Sequence, residues 1–169
     1  MVRIAGPSSH GNDFLVQAAA QDKQRFVTLL LTKGYDINYE NHGGTTPLSA
    51  TSVGGHEKMI RFLISRGAEV NRKDRLSGET PLIGAAEMGQ FGSVKVLLED
   101  GADPCLTDKE GHTAEGRAKQ FHDSDHRGIF LIPVSLPGKC NQSSVRGLRL
   151  FCVRALMMFL RRFAERPPT

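Results

Sequence analysis

The sequence predicts an all-α protein, an α-solenoid of short helix–turn–helix repeats with β-turn or hairpin tips. Two independent markers carry the prediction, and both keep one period. Thr46-Pro47-Leu48 returns as Thr80-Pro81-Leu82, and Thr113-Ala114 follows at the same interval of roughly 33 residues. The glycines Gly34, Gly67 and Gly101 keep the same beat. Each opens a similar stretch: Gly34-Tyr-Asp-Ile-Asn38, Gly67-Ala-Glu-Val-Asn71 and Gly101-Ala-Asp-Pro-Cys105. A fixed period in this range is the mark of a repeat array, in which each unit buries its apolar face only against its neighbours.

The first unit runs over about 13–45, with Asp13-Phe14-Leu15 in the slot that Thr-Pro-Leu fills later. Ala18-Ala19 takes the small positions of an inner helix, and Phe26, Val27, Leu29, Leu30 and Leu31 form an outer one. In the second unit, 46–79, Thr46 suits an N-cap, and Pro47 suits the first helical turn, where its missing N–H is no loss. Leu48, Ala50, Thr51 and Ser52 make an inner helix, which Gly55 reverses, glycine tolerating the left-handed conformation. Met59, Ile60, Phe62, Leu63 and Ile64 make the outer helix, which ends at Gly67. The third unit, 80–112, repeats this with Leu82, Ala85, Ala86, a break at Gly89, then Val94, Val96, Leu97 and Leu98. A partial fourth unit, 113–122, has an inner helix but no apolar outer one, since His122-Asp-Ser-Asp-His126 follows. Helices this short are marginal in water and depend on stacking.

These units resemble the ankyrin repeat, with its Thr-Pro-Leu entry, its Gly-His break (Gly55-His56) and its Gly-Ala-Asp-Val-Asn exit. The resemblance covers roughly residues 13–122. It departs where the family places a histidine after Thr-Pro-Leu: Ser49 and Ile83 stand there, which implies a weaker turn-stabilising hydrogen bond.

Residues 1–12 read as a lead, 123–144 as a linker, and 145–169 as a basic apolar tail, helical to about 164. The tail interleaves Arg146, Arg149, Arg154, Arg161 and Arg162 with residues such as Leu150, Met157 and Phe163. Charge divides along the same line. The whole chain of 169 residues is formally +4, but positions 1–125 sum to −3 and positions 126–169 to +7. The basicity therefore says nothing about nucleic-acid binding by the repeats. The tail alone could dock on anionic membrane, calmodulin or nucleic acid, or fold back to cap the fourth unit.

Several classes are excluded. Hydrophobic residues at 39% and charged residues at 24% fit a globular chain. The longest apolar run, Ala155–Leu160, is far short of a membrane span, and the N-terminus lacks the apolar core of a secretory signal. Cys105, Cys140 and Cys152 are too few and scattered for a disulfide framework, so a reducing compartment, the cytoplasm or else the nucleus, is expected. No phosphate loop, nucleophile elbow or Cys-His pairing appears, so neither catalysis nor a cofactor is expected. His122, Asp123, Asp125 and His126 have no obvious third ligand except Cys105 or His112, and Asp123-Ser-Asp125 reads as a helix-ending loop, so no metal site is expected.

What the resemblance leaves for function is the concave face made by repeat tips and exposed inner-helix positions. Candidate partner-binding residues are Tyr39, His42, Thr45, Arg72, Lys73, Arg75, Leu76 and Glu79, with Glu87, Met88, Lys109, His112, Gln120 and Phe121. Apolar Tyr39, Leu76, Met88 and Phe121 ringed by polar groups fit a protein–protein hot spot, and the Arg72–Arg75 tip fits an acidic patch. The expectation is a monomeric, non-catalytic module: an adaptor, a scaffold or a regulatory or inhibitory subunit, including one of a multi-chain enzyme. Its partner is a protein rather than a small-molecule substrate.

Overall fold

The structure, a computed structural model, describes residues 9–123. Among these there are seven helices and no strand. They are α1 (Ser9–Ala20), α2 (Gln24–Thr32), α3 (Pro47–Gly54), α4 (Glu57–Ser65), α5 (Pro81–Glu87), α6 (Phe91–Glu99) and α7 (Ala114–Asp123). Helices α1, α3, α5 and α7 stack side by side as an inner layer, and α2, α4 and α6 back them as an outer layer. The tail and residues 124–126 lie outside what the structure describes, as do the side chains of His122 and Asp123, whose backbone closes α7.

Helix starts follow from the Thr-Pro pairs. Proline disfavours helical backbone in the residue before it. Thr46 and Thr80 accordingly sit extended, at φ −94°, ψ 162° and φ −92°, ψ 162°. Thr46 Oγ1 accepts the Ser49 N–H at 3.1 Å, and Ser49 Oγ in turn accepts the Thr46 N–H at 2.9 Å. Ser49 thus restores the reciprocal bond that the missing histidine was expected to weaken. Ile83 cannot, and keeps only its own N–H bond to Thr80 Oγ1 at 3.3 Å. Ser49→Ala should therefore cost about 1 kcal/mol, the usual worth of a cap, read as a lower urea midpoint with unchanged slope.

The first unit has no such stop. Phe14 stands where Pro47 stands one repeat later, so nothing forbids helix before it, and α1 begins at Ser9, a turn ahead of Asp13. Helix reversals are left-handed at Gly55 (φ 78°) and Gly89 (φ 66°). Asp22 (φ 54°) takes the equivalent place after α1. It is the one non-glycine residue at positive φ among those described.

The core is one continuous stripe. Leu15, Leu48 and Leu82 anchor the inner helices, and Val27, Leu30, Met59, Ile60, Leu63, Val94, Val96 and Leu97 the outer ones. Small pairs, Ala18-Ala19, Thr51-Ser52 and Ala85-Ala86, are buried where inner helices meet. The two hydroxyls are satisfied inside their own helix: Thr51 Oγ1 donates to the Pro47 carbonyl and Ser52 Oγ to that of Leu48. Cys105 is disulfide-bonded; the other two cysteines lie outside the described residues.

Candidate partner-binding face

Each tip is folded around one side-chain acceptor, Asn41, Asp74 or Asp108, recurring at the period of the array. Asn41 Oδ1 accepts the N–H groups of Gly43 and Thr45. Asp74 accepts those of Leu76, Ser77 and Glu79, together with the Ser77 hydroxyl. Asp108 Oδ1 accepts those of Glu110 and His112, at 2.9 Å each. Short polar side chains that bond backbone two or more residues on are what fix such turns. None of the three is among the residues singled out from sequence, although their spacing is itself the signal that could have found them.

The tips are also tied to one another. The Glu40 carboxylate, only 4% exposed, accepts both the backbone N–H and Nε of Arg75, at 2.8 and 3.1 Å. Lys73 Nζ donates to the Thr107 carbonyl, and Lys109 Nζ to that of Arg75. Arg72 pairs with Glu69 at 3.3 Å. The cations of the Arg72–Arg75 tip thus all have partners within the chain. Arg117 does the same for the last tip, with Nε on Asp108 Oδ2 at 2.7 Å and Nη2 on Glu110 Oε2 at 3.0 Å. Neither Glu40 as an anchor nor Arg117 was visible as such in the sequence.

Of the remaining candidates, Tyr39 is half-buried beside Asp13. Burial, then the charge and hydrogen bond of Asp13, push its hydroxyl pKa up, against a smaller opposing pull from Arg75. His42 is exposed, and Thr45 is half-buried. His112 is half-buried, with Nδ1 3.5 Å from Glu110 Oε2. Lys109 and Gln120 are exposed at the far end; the Phe121 side chain lies outside the description. Leu76 and Met88 are 62% and 51% exposed, and Val53 39%. Thr45, Val53, Leu76 and Glu79 line one groove of about 320 Å³ between α3, α5 and their tips.

Two carboxyl groups shape the field there in opposite senses. Burial raises the Asp74 pKa, but the Ser77 hydroxyl and the amides of Ser77, Glu79 and Leu76 outweigh it and hold the group below the ordinary value. Glu79 is held above its ordinary 4.5, by burial first and then by Glu87, with lesser repulsion from Asp74 and Asp108 and partial relief from Arg117. A folded state that holds a proton more tightly loses stability as pH rises from the ordinary glutamate value through the native one. Glu79 is therefore a cost at neutral pH. Glu79→Gln should raise the urea midpoint at pH 7 and leave it unchanged at pH 3; equal shifts at both would refute this.

Repeated helix pairs and strutted tips define a class, the helical repeat arrays. The chain belongs to the ankyrin-repeat family: a family profile described as Ankyrin repeats (3 copies) matches residues 15–108. It is 35% identical over 128 residues to palmitoyltransferase akr1 of Neurospora crassa, covering 76% of this chain and 17% of that protein. Ankyrin repeat and SAM domain-containing protein 6 of Mus musculus is 39% identical over 96 residues, covering 57% and 11%. E3 ubiquitin-protein ligase Ufd4 of Drosophila melanogaster is 32% identical over 120 residues, covering 71% and 4%. The chain thus spans less than a fifth of the length of each of these relatives. Its repeats constitute a protein–protein interaction module, not a catalytic one.

Proposed function

We propose that the array holds a protein partner on its concave face, as an adaptor, scaffold or regulatory subunit with no chemistry of its own. The observation that carries this reading is the exposure of Leu76, Met88 and Val53 on a face whose tips are otherwise pinned. Large apolar side chains left in water beside polar rims are the composition of a hot spot. The tip-to-tip bonds of Glu40, Lys73 and Lys109 pre-form that face, so association loses little ordering entropy. The relatives named as a palmitoyltransferase and a ubiquitin ligase support a role beside an enzyme, in which the repeats choose what that enzyme meets.

The test is a cross-linked pull-down with the full chain against Leu76→Asp/Met88→Asp. Both sites are exposed, so the variant should keep its helical circular dichroism and lose specific partners. Retention of every partner by the folded variant would overturn the concave-face reading.

A further inference from the structure

We propose that the groove between α3 and α5 takes a partner segment carrying a lysine or arginine next to a large apolar side chain. The inference rests on the concave-face reading and adds the chemistry of the partner. The apolar half of the site is Ala50, Val53 and Leu76. Gly84 of α5 keeps it open, since a Cβ there would lie 3.1 Å from Val53 Cγ2. At about 320 Å³ the groove is at the small end of the roughly 300–1,000 Å³ range of ligand pockets, which suits a side chain or two rather than a whole small molecule.

The charged half is what remains after the internal pairs are removed. Asp74 is saturated by its own turn, and Asp108 by two amides and Arg117. Arg72, also in the groove wall, faces Glu69. Glu79, in the groove wall, is left over, with Glu87 just outside the lining and near enough to repel it. Among the described residues neither carboxylate has a cation at ion-pair distance, while those of Glu40, Glu69, Glu99 and Glu110 do. The repulsion between the two is strong enough to be felt in Glu79's affinity for a proton. An incoming cation relieves that repulsion and gains a half-desolvated partner, whereas an acidic segment would worsen it. Complementarity of charge therefore selects against acidic partners here, and Leu76 and Val53 supply the adjoining apolar contact.

The experiment uses a phage-displayed random 12-mer library, selected on the full chain at low salt and then titrated on Glu79→Gln/Glu87→Gln. Neutralising Glu79 is expected to stabilise the fold, so lost binding by this variant is not lost structure, and its melting curve checks that. Enriched peptides should place Lys or Arg within two positions of Leu, Ile, Met or Phe, and bind the variant at least tenfold more weakly. Peptides without a basic residue, equal binding to both proteins, or no enrichment would overturn the assignment. A synthetic peptide of this chain's own positions 145–163 is titrated alongside. If it alone binds in a Glu79- and Glu87-dependent way, the groove belongs to the chain's own basic segment and the assignment to a partner falls. Partners lost with Leu76→Asp/Met88→Asp but kept with Glu79→Gln/Glu87→Gln would remove this inference and leave the concave-face reading standing.

Discussion

Asp108→Ala is expected to lower the unfolding free energy by about 3 kcal/mol, the low end of the range for breaking a buried pair from one side. The Asp108 side chain has no exposed surface, and that of Arg117 only 12%. Removing the carboxylate leaves the Arg117 Nε and the amides of Glu110 and His112 without their acceptor in a site closed to water. Glu110 still holds the other arm of the guanidinium, which is why the low end is expected. Acid should show the same bonds. Burial pushes the Asp108 pKa up, but the His112 amide, Arg117 and the Glu110 amide together hold it below 3.8. A depressed native pKa contributes stability above the unfolded value, and loses it as pH falls through the native one. Wild type and variant should thus differ fully near pH 6, and the difference should narrow only as pH falls below the ordinary 3.8 toward the lower native value. Urea titrations at several pH values check this, and a loss under about 1 kcal/mol at pH 6 would refute it.

Periodicity made most of this fold legible. Pro47, Pro81, Gly55 and Gly89 act through backbone dihedrals, which one residue imposes alone, and so they can be read one at a time. The first repeat is less legible for the same reason. Its markers are replaced: Phe14 for proline, which lets α1 start early, and Asp22 for glycine, which hides a left-handed turn. Aspartate is one of the few side chains that tolerates that conformation, so a reading tuned to glycine passes over it.

The face was harder to read, because its defining bonds run between repeats. Glu40 to Arg75, Lys73 to Thr107 and Lys109 to Arg75 each reach across about one period. A basic tip looks free in one dimension and is tied once the tips are stacked. Leu76 and Met88 were recognisable as exposed because the helix pattern has no use for them. The isolation of Glu79 and Glu87 was not, since it depends on which cations the stack has already consumed.

The same logic separates two residues that occupy one register. Phe26 of α2 and Met59 of α4 stand one period apart, at matching places in successive outer helices. Met59 is 1% exposed, whereas Phe26 is 43% exposed. Ser93, the counterpart in α6, is again fully buried. Met59→Ala should therefore cost about 2–5 kcal/mol, the lost transfer energy plus a cavity the stack cannot close. Phe26→Ala removes a larger side chain, yet should cost only about 1–2 kcal/mol, because 43% of that residue stays in water in the native chain. Chemical denaturation of both variants decides the matter. If Phe26→Ala were as damaging as Met59→Ala, the outer face of α2 would have to be covered in the full chain.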